Sequence, residues 1–466
     1  MAALTALTLF VATVPASLTA PVGFAAPAAA TPCAAGTPIR GDYDGDGRPD
    51  LLVGVDGGGA AHPDGVGYQV IRGSGGARTW LTHQGPVRNA DLNGDVCADA
   101  VIWDSEGGSS ASLVFGTRTG LNEAGATELE FPQAADVEPG GIEELDLHDV
   151  VALRHHGISQ IVVSGTITFD ASPRSAFLDV FTLDARGAPG VPQVINLPDA
   201  LPQEVIPLAG SGATVAVGLY ERTVSGKAEA GGVLMLSYDT DRGTMVRRTV
   251  ITQNSPGVPG SAEAGDHFGE ALDMRDGRLA VGIPREANGK VKNAGAVQPI
   301  RWNEAKSTYT VYRQITQGTR GVVGTNETGD RFGTDVLVTR GLTASGSYDI
   351  AIYATESVGK AKAAGSVTVA NFTKSSYRTY TQNSRGIAGT AEKSDRFGSG
   401  LGVLRTSATT DTLLIGAAGE RGSTAHEVGY AIRSDGRRLS ASTKWTAIAR
   451  PAGGTSYLSW GRSFAR

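Results

Sequence analysis

Several kinds of feature are scarce in this chain of 466 residues, and each scarcity removes a class of function. Basic charge is not in excess: the formal net charge is −6, which argues against nucleic acid as the main partner. No apolar run after residue 30 approaches the roughly 20 residues that cross a bilayer, so no membrane span is expected. Aromatic residues make up only 6% of the chain. There is no G-x-S-x-G nucleophile elbow and no G-x-x-x-x-G-K-[ST] phosphate loop. An H-E-x-x-H zinc helix is also missing, because His426-Glu427 runs on into Val-Gly-Tyr. Cysteine is limited to Cys33 and Cys97. An even pair in an exported chain suggests one disulfide, here tying the N-terminal segment to the neighbouring repeat.

What the chain does have is glycine, 64 residues of it, between many short β-like runs. Length alone would allow several domains, but this texture favours one large all-β repeat array over residues 31–466. Residues 1–30 differ. They are rich in Ala, Leu, Thr and Val, carry no charge, and end in Ala28-Ala29-Ala30, the pattern of a secretory signal peptide without its usual basic start. A secreted, extracellular protein is therefore expected.

The stretch with the clearest chemistry is Gly41–Asp50, GDYDGDGRPD. Asp42, Asp44, Asp46 and Asp50 stand at relative positions 1, 3, 5 and 9 of a loop. Four carboxylates so close repel one another unless a cation joins them. A hard cation such as Ca2+ takes six to eight oxygens at about 2.3–2.6 Å, which carboxylates at alternate positions can supply. The carbonyl of Arg48 at position 7 is the expected main-chain ligand. The spacing returns at Asp91, Asn93, Asp95 and Asp99, with the carbonyl of Cys97 at position 7. Neither copy is a helix-flanked calcium loop: the bidentate Glu wanted at position 12 is Val53 in one and Ile102 in the other. Each runs straight into an apolar, β-branched segment that reads as a buried strand.

The C-terminal half repeats openly. ITQNSPGVPGSAEAGDHFG, ITQGTRGVVGTNETGDRFG and YTQNSRGIAGTAEKSDRFG place Phe-Gly at Phe268, Phe332 and Phe397, 64 and 65 residues apart. Each is followed by four strand-like runs, the signature of a propeller blade. Earlier units follow the same order without Phe-Gly, and the count reaches seven. The first unit lacks its first strand, while Trp460-Gly461 falls 63 residues after Phe397-Gly398, where the next such pair is due. The segment Ser459–Ala465 is therefore expected to be that missing strand and to close the ring, leaving no open edge.

These marks resemble FG-GAP repeats, as in the propeller at the N-terminus of integrin α chains and in many secreted bacterial proteins. The resemblance covers roughly residues 39–466. It implies a seven-bladed β-propeller of four-stranded blades, with each calcium loop joining the first and second strands of a blade. It assigns Asp42, Asp44, Asp46, Arg48 (carbonyl) and Asp50 to one site, and Asp91, Asn93, Asp95, Cys97 (carbonyl) and Asp99 to the other. Blades three to seven depart from the acidic spacing; the matching turn in the fifth is only Asp273–Gly277.

Other candidates read as structural. Asp266, Asp330 and Asp395, each two residues before Phe-Gly, recur once per blade, as do Glu286, Glu356 and Glu420. They are expected to cap turn amides. His148, His155 and His156 cluster as a weak transition-metal candidate. Arg40-Gly41-Asp42 spells an adhesion tripeptide, but Asp42 is already committed to the cation. The expected function is a monomeric, calcium-stabilised module for adhesion to, or recognition of, an extracellular protein or glycan. The alternatives are a polysaccharide-acting hydrolase or lyase with carboxylates over the central channel, and a lectin with one sugar pocket per blade.

Overall fold

The computed structural model describes Cys33 and residues 41–464, apart from 59–66, 73–77, 82–85, 104–109, 133–141, 170–174, 198–204, 388, 406–408, 420–427, 435–438 and 447–456. The expected signal segment 1–30, Arg40, Glu420 and His426 lie outside the described residues.

The chain is all-β, a propeller with blades of four antiparallel strands. Its strands gather into seven four-stranded sheets and one two-stranded hairpin. A representative blade runs in chain order through Ala271–Arg275, Arg278–Ile283, Ala296–Asn303 and Thr308–Val311. Side chains are described through all four strands, or nearly so, in five of the sheets, and these five establish the blade. Five blades are shown, fewer than the seven expected; in the sheets holding Leu51–Gly58 and Phe397–Arg405 most of the remaining side chains lie outside the described residues. In the first of those sheets the backbone of Tyr457–Phe464, from the far end of the chain, pairs antiparallel with Leu51–Gly58, with Val55 opposite Trp460.

The burial pattern follows from stacking sheets face to face. Inner strands read as continuous apolar runs covered on both faces: Thr214–Gly218, Asp99–Trp103 and Ser366–Asn371 are buried at every position. Fourth strands alternate, as in Gln193–Asn196 and Thr308–Val311, because one face meets solvent.

The Phe-Gly pairs act between blades. Phe268, Phe332 and Phe397 are at most 1% exposed. Their N–H groups donate to Ala230, Ala294 and Ala364 in the preceding blade, at 3.0, 2.9 and 2.7 Å. The residue after each alanine is Gly231, Gly295 or Gly365, with φ of +86°, +85° and +86°. A side chain at Gly295 would run into the Phe332 backbone. The Ala-Gly and Phe-Gly marks are thus two halves of one latch, repeated at successive blade boundaries. Phe268 also joins a core cluster with Met235 and Val281 from the two blades it bridges. Burying one such ring stabilises the fold by about 1.5–3 kcal/mol.

Candidate metal centre

In the loop Asp42–Asp50 each acidic side chain organises the backbone around it. Asp42 accepts from the N–H groups of Asp46 (3.1 Å) and Gly47 (2.9 Å), Asp44 from Asp46 (3.2 Å), and Asp46 from Arg48 (2.8 Å). Asp50 accepts from Tyr43 N–H at 2.9 Å, and its own N–H donates to the Gly41 carbonyl at 2.7 Å. These bonds bend the loop inward. Asp42, Asp44 and Asp50 each bring a carboxylate oxygen within 4.8 Å of the other two. They are 2%, 8% and 4% exposed, a depth at which carboxylates are rare unless paired. Burial, with Asp46 and Asp44 close by, raises the pKa of Asp42 above its ordinary value. Arg72 lies against the trio, its Nε 3.6 Å from Asp44. Asp46 and Arg48 stand at the exposed rim.

The second loop, Asp91–Asp99, reproduces this wiring at positions 3, 5 and 9, while its position 1 accepts from positions 4 and 6 instead of 5 and 6. Asp91 accepts from Gly94 (2.6 Å) and Val96 (3.3 Å), Asn93 from Asp95 (3.0 Å), and Asp95 from Cys97 (3.0 Å). Asp99 accepts from Leu92 (2.7 Å), Asn93 (3.3 Å) and Gly116 (2.9 Å). Two things differ. Asp91, Asp95 and Asp99 are not among the trios gathered within 4.8 Å. In addition, Arg154 reaches in from the strand Ile142–His155, placing Nη1 3.4 Å from both Asp91 Oδ1 and the Asp91 carbonyl, directly over Gly94. No local sequence pattern could reveal it, since Arg154 lies 63 residues from Asp91.

Cys33 and Cys97 form the expected disulfide, with Cα atoms 5.7 Å apart. It lies where the loops meet. A Cβ on Gly45 would sit 2.7 Å from Cys33 Cβ, and Ala98 N–H donates to the Asp42 carbonyl at 2.7 Å. Asp95 also lies within 4.8 Å of both sulfurs. Because the sulfurs are bonded to each other, that trio offers no thiolate to a metal.

The structure adds a relative that sequence reading missed. In Gly341–Asp349, Asp349 accepts from Leu342 N–H (2.8 Å) and Thr343 N–H (3.1 Å), as Asp99 does from Leu92 and Asn93. Where the first loop has acids, this one has Gly341, Thr343 and Ser345, with Ser347 at position 7. Thr343 Oγ1 donates to Asp349 Oδ1, Ser347 Oγ to Oδ2 at 2.8 Å, and Asn371 Nδ2 to Oδ1 at 3.2 Å. Neutral donors fill the loop.

The histidines do not assemble. His148 Nδ1 accepts from Ile206 N–H at 3.2 Å, leaving Nε2 to donate to Thr166 Oγ1, while His155 and His156 meet edge to face elsewhere, ring centroids 4.1 Å apart. Asp266 and Asp330 accept the N–H of the residue three before them, Glu263 at 2.6 Å and Glu327 at 2.7 Å, and Asp395 accepts that of Glu392, the turn-capping expected of them.

No family model matches this chain, and no curated protein does. Among solved structures it is similar to a protein from Lactobacillus plantarum, at 10% identity over 88% of this chain and 99% of that one, TM-score 0.43. Others are a putative 6-phosphogluconolactonase from Bacteroides uniformis (10% identity, 88% and 99% covered, TM-score 0.46) and a mutant of Synechocystis apocarotenoid oxygenase (10%, 86% and 93%, TM-score 0.38). Likeness at this level says nothing of activity.

Proposed function

We propose that this chain is a secreted FG-GAP-type β-propeller of seven blades, stabilised by Ca2+, that serves as a binding module for an extracellular protein or glycan. The observation that carries the metal is the buried trio Asp42, Asp44 and Asp50, with oxygens within 4.8 Å of one another and Arg72 at its edge. The donor set is all oxygen, which suits a hard cation. Asp46 and the Arg48 carbonyl would complete it from the rim. Asp91, Asn93, Asp95, Cys97 (carbonyl) and Asp99 would form the second site once Arg154 withdraws. The pairing of Tyr457–Phe464 with Leu51–Gly58 supports closure of the ring.

Several features are compatible with an extracellular setting. A disulfide persists where thiols are oxidised, and among the described residues no helix is long and apolar enough to cross a membrane. The binding role rests on the fold. The test is a screen of the purified chain against glycan and surface-protein arrays, with calcium and with EDTA, beside thermal melts in both. Calcium-dependent capture of a ligand and a higher melting temperature in calcium are expected. Superimposable melts would sink the metal, and turnover of a captured polysaccharide would replace the binding module with an enzyme.

A further inference from the structure

The latch at successive blade boundaries carries a second acidic device, distinct from the Asp loops. Asp266 sits in the turn before Phe268, and the strand Arg278–Ile283 leads to Glu286. Gln253 Nε2 donates to Glu286 Oε2 at 2.7 Å. Gln253 is 1% exposed, and its Oε1 has no hydrogen-bond partner although it is fully covered. The next boundary repeats the arrangement with Asp330, Glu356 and Gln317. Thr355, the neighbour of Glu356, donates its N–H to the Asp330 carbonyl at 2.8 Å, which holds the two acids together. A Cβ on Gly324 would lie 2.7 Å from Glu356 Oε1 and 3.4 Å from Gln317 Nε2, so amide and carboxylate share one cradle under that glycine. Gln317 Oε1 is again buried and without a partner. At the third boundary, Glu392, Asp395, Arg396 and Gly419 line a cleft of about 570 Å³.

A buried Asp, a half-buried Glu and an unanswered amide oxygen, repeated in register, form an oxygen-only donor set short of positive charge. The charges acting most strongly on Asp330 and Glu356 are each other and Glu327, all negative; Asp266 faces Glu286 and Glu263, with His267 as its cation. His267 is itself engaged by Glu229 and Glu270. Hydrogen bonds to solvent are not open to a buried Oε1, and an orphaned acceptor there costs about 1–3 kcal/mol.

We infer that Asp266–Glu286–Gln253 and Asp330–Glu356–Gln317 are inter-blade sites for a hard cation of the calcium class, in blades that lack the Asp loop. Each ion would tie the turn before Phe-Gly to the end of the next strand and so hold adjoining blades together.

The test uses the full chain with both Asp loops disabled by Asp44→Asn and Asp95→Asn, so that failure of those loops and failure of these sites read separately. Calcium uptake is measured by equilibrium dialysis and terbium luminescence. The loop-disabled chain is expected still to bind calcium, and adding Glu286→Gln and Glu356→Gln should abolish the remainder. Because those changes could unfold the chain, Gln317→Glu provides an opposite readout: an added carboxylate should tighten calcium binding roughly tenfold and enlarge the calcium-induced rise in melting temperature. Absence of calcium uptake in the loop-disabled chain, or a Gln317→Glu chain that melts lower with no recovery in calcium, would overturn the inference.

Discussion

The loops Asp42–Asp50 and Gly341–Asp349 solve one geometric problem with opposite electrostatics. Both close nine residues before a buried strand, and both set a final Asp to accept the N–H of position 2. In the second, every further donor to Asp349 is neutral and built in: Thr343, Ser347 and Asn371. In the first, the matching positions are acids, answered among the described residues by backbone N–H groups and the edge of Arg72. The Asp at position 9 is therefore a fold residue in every copy. The acids at positions 1, 3 and 5 are what an ion is needed for. The loop Asp91–Asp99 stands between the two, with acids at 1 and 5, an amide at 3, and Arg154 lent by the neighbouring blade.

The largest effect should come from the metal-independent loop. Asp349→Ala leaves two N–H groups, two hydroxyls and an amide without their acceptor in a buried site. At about 1–3 kcal/mol for each orphan that cannot reach water, a total loss near 3–5 kcal/mol is expected. Urea unfolding should report the same loss in calcium and in EDTA. A loss confined to calcium would mean that Gly341–Asp349 also holds an ion, and the contrast would fall.

Next comes calcium itself. An ion bound by the folded chain alone stabilises it by about 2.7 kcal/mol at one hundred times Kd. Calorimetry should show a melting temperature raised by calcium and lowered by EDTA, with Asp44→Asn removing most of the difference. Arg154→Met should enlarge the response by freeing Asp91 for the ion, at a cost below about 1 kcal/mol in EDTA, since the pair is partly exposed. If Arg154→Met left calcium binding unchanged, the arginine would not be competing for that loop.

A smaller effect separates the loops by backbone alone. Position 6 takes a positive φ in all three: +84° at Gly47, +73° at Gly346, and +82° at Val96. A β-branched residue is strained there, by about 1–3 kcal/mol. Val96→Gly should therefore raise stability by about 1 kcal/mol, the strain relieved less the extra entropy of an unfolded glycine. Denaturant midpoints of the two chains would show it.

The parts that were legible in the sequence are those where residue type is itself the signal. Phe-Gly repeats 64 and 65 residues apart, so the blades could be read before any bond was known, although its partner Ala-Gly was not recognised. The carboxylates of Asp42–Asp50 have few structural alternatives. Gly341–Asp349 could not be recognised, because Thr, Ser and Gly at alternate positions look like any polar turn, and only a three-dimensional overlay of the Asp349 bonds on those of Asp99 reveals the kinship. Arg154 was hidden for a different reason: its role depends on blade packing. The paired acids Asp266 and Glu286 were seen as repeat residues, but the buried Gln253 between blades was not singled out, although Gln253, Gln317 and Gln382 hold the same place in the three repeats, because residue type alone does not tell a buried Gln from an exposed one.

The smallest expected effect is on pH dependence, and its sign divides the loops. In chelator, burial raises the pKa of Asp42 and Asp95, and Asp99 is pushed up to about 8, from an ordinary value of 3.8. A folded pKa above the unfolded one means the folded chain holds its proton more tightly. That contribution to stability is complete below about 3.8 and is lost as pH rises through the folded value, so the window runs from about 4 to about 8. Calcium competes with those protons. In its presence the acids are held ionised, and the loss with rising pH should flatten or reverse. The gap between melting temperatures in calcium and in EDTA should accordingly widen from pH 5 to pH 8. Asp349 is also shifted up, chiefly by burial, but it meets only neutral donors, so its share of the slope should be the same in both buffers. Repeating the series on Asp99→Asn isolates the second loop: the widening should shrink there, and a gap that stays constant with pH in the parent chain would show that no proton is displaced when calcium binds.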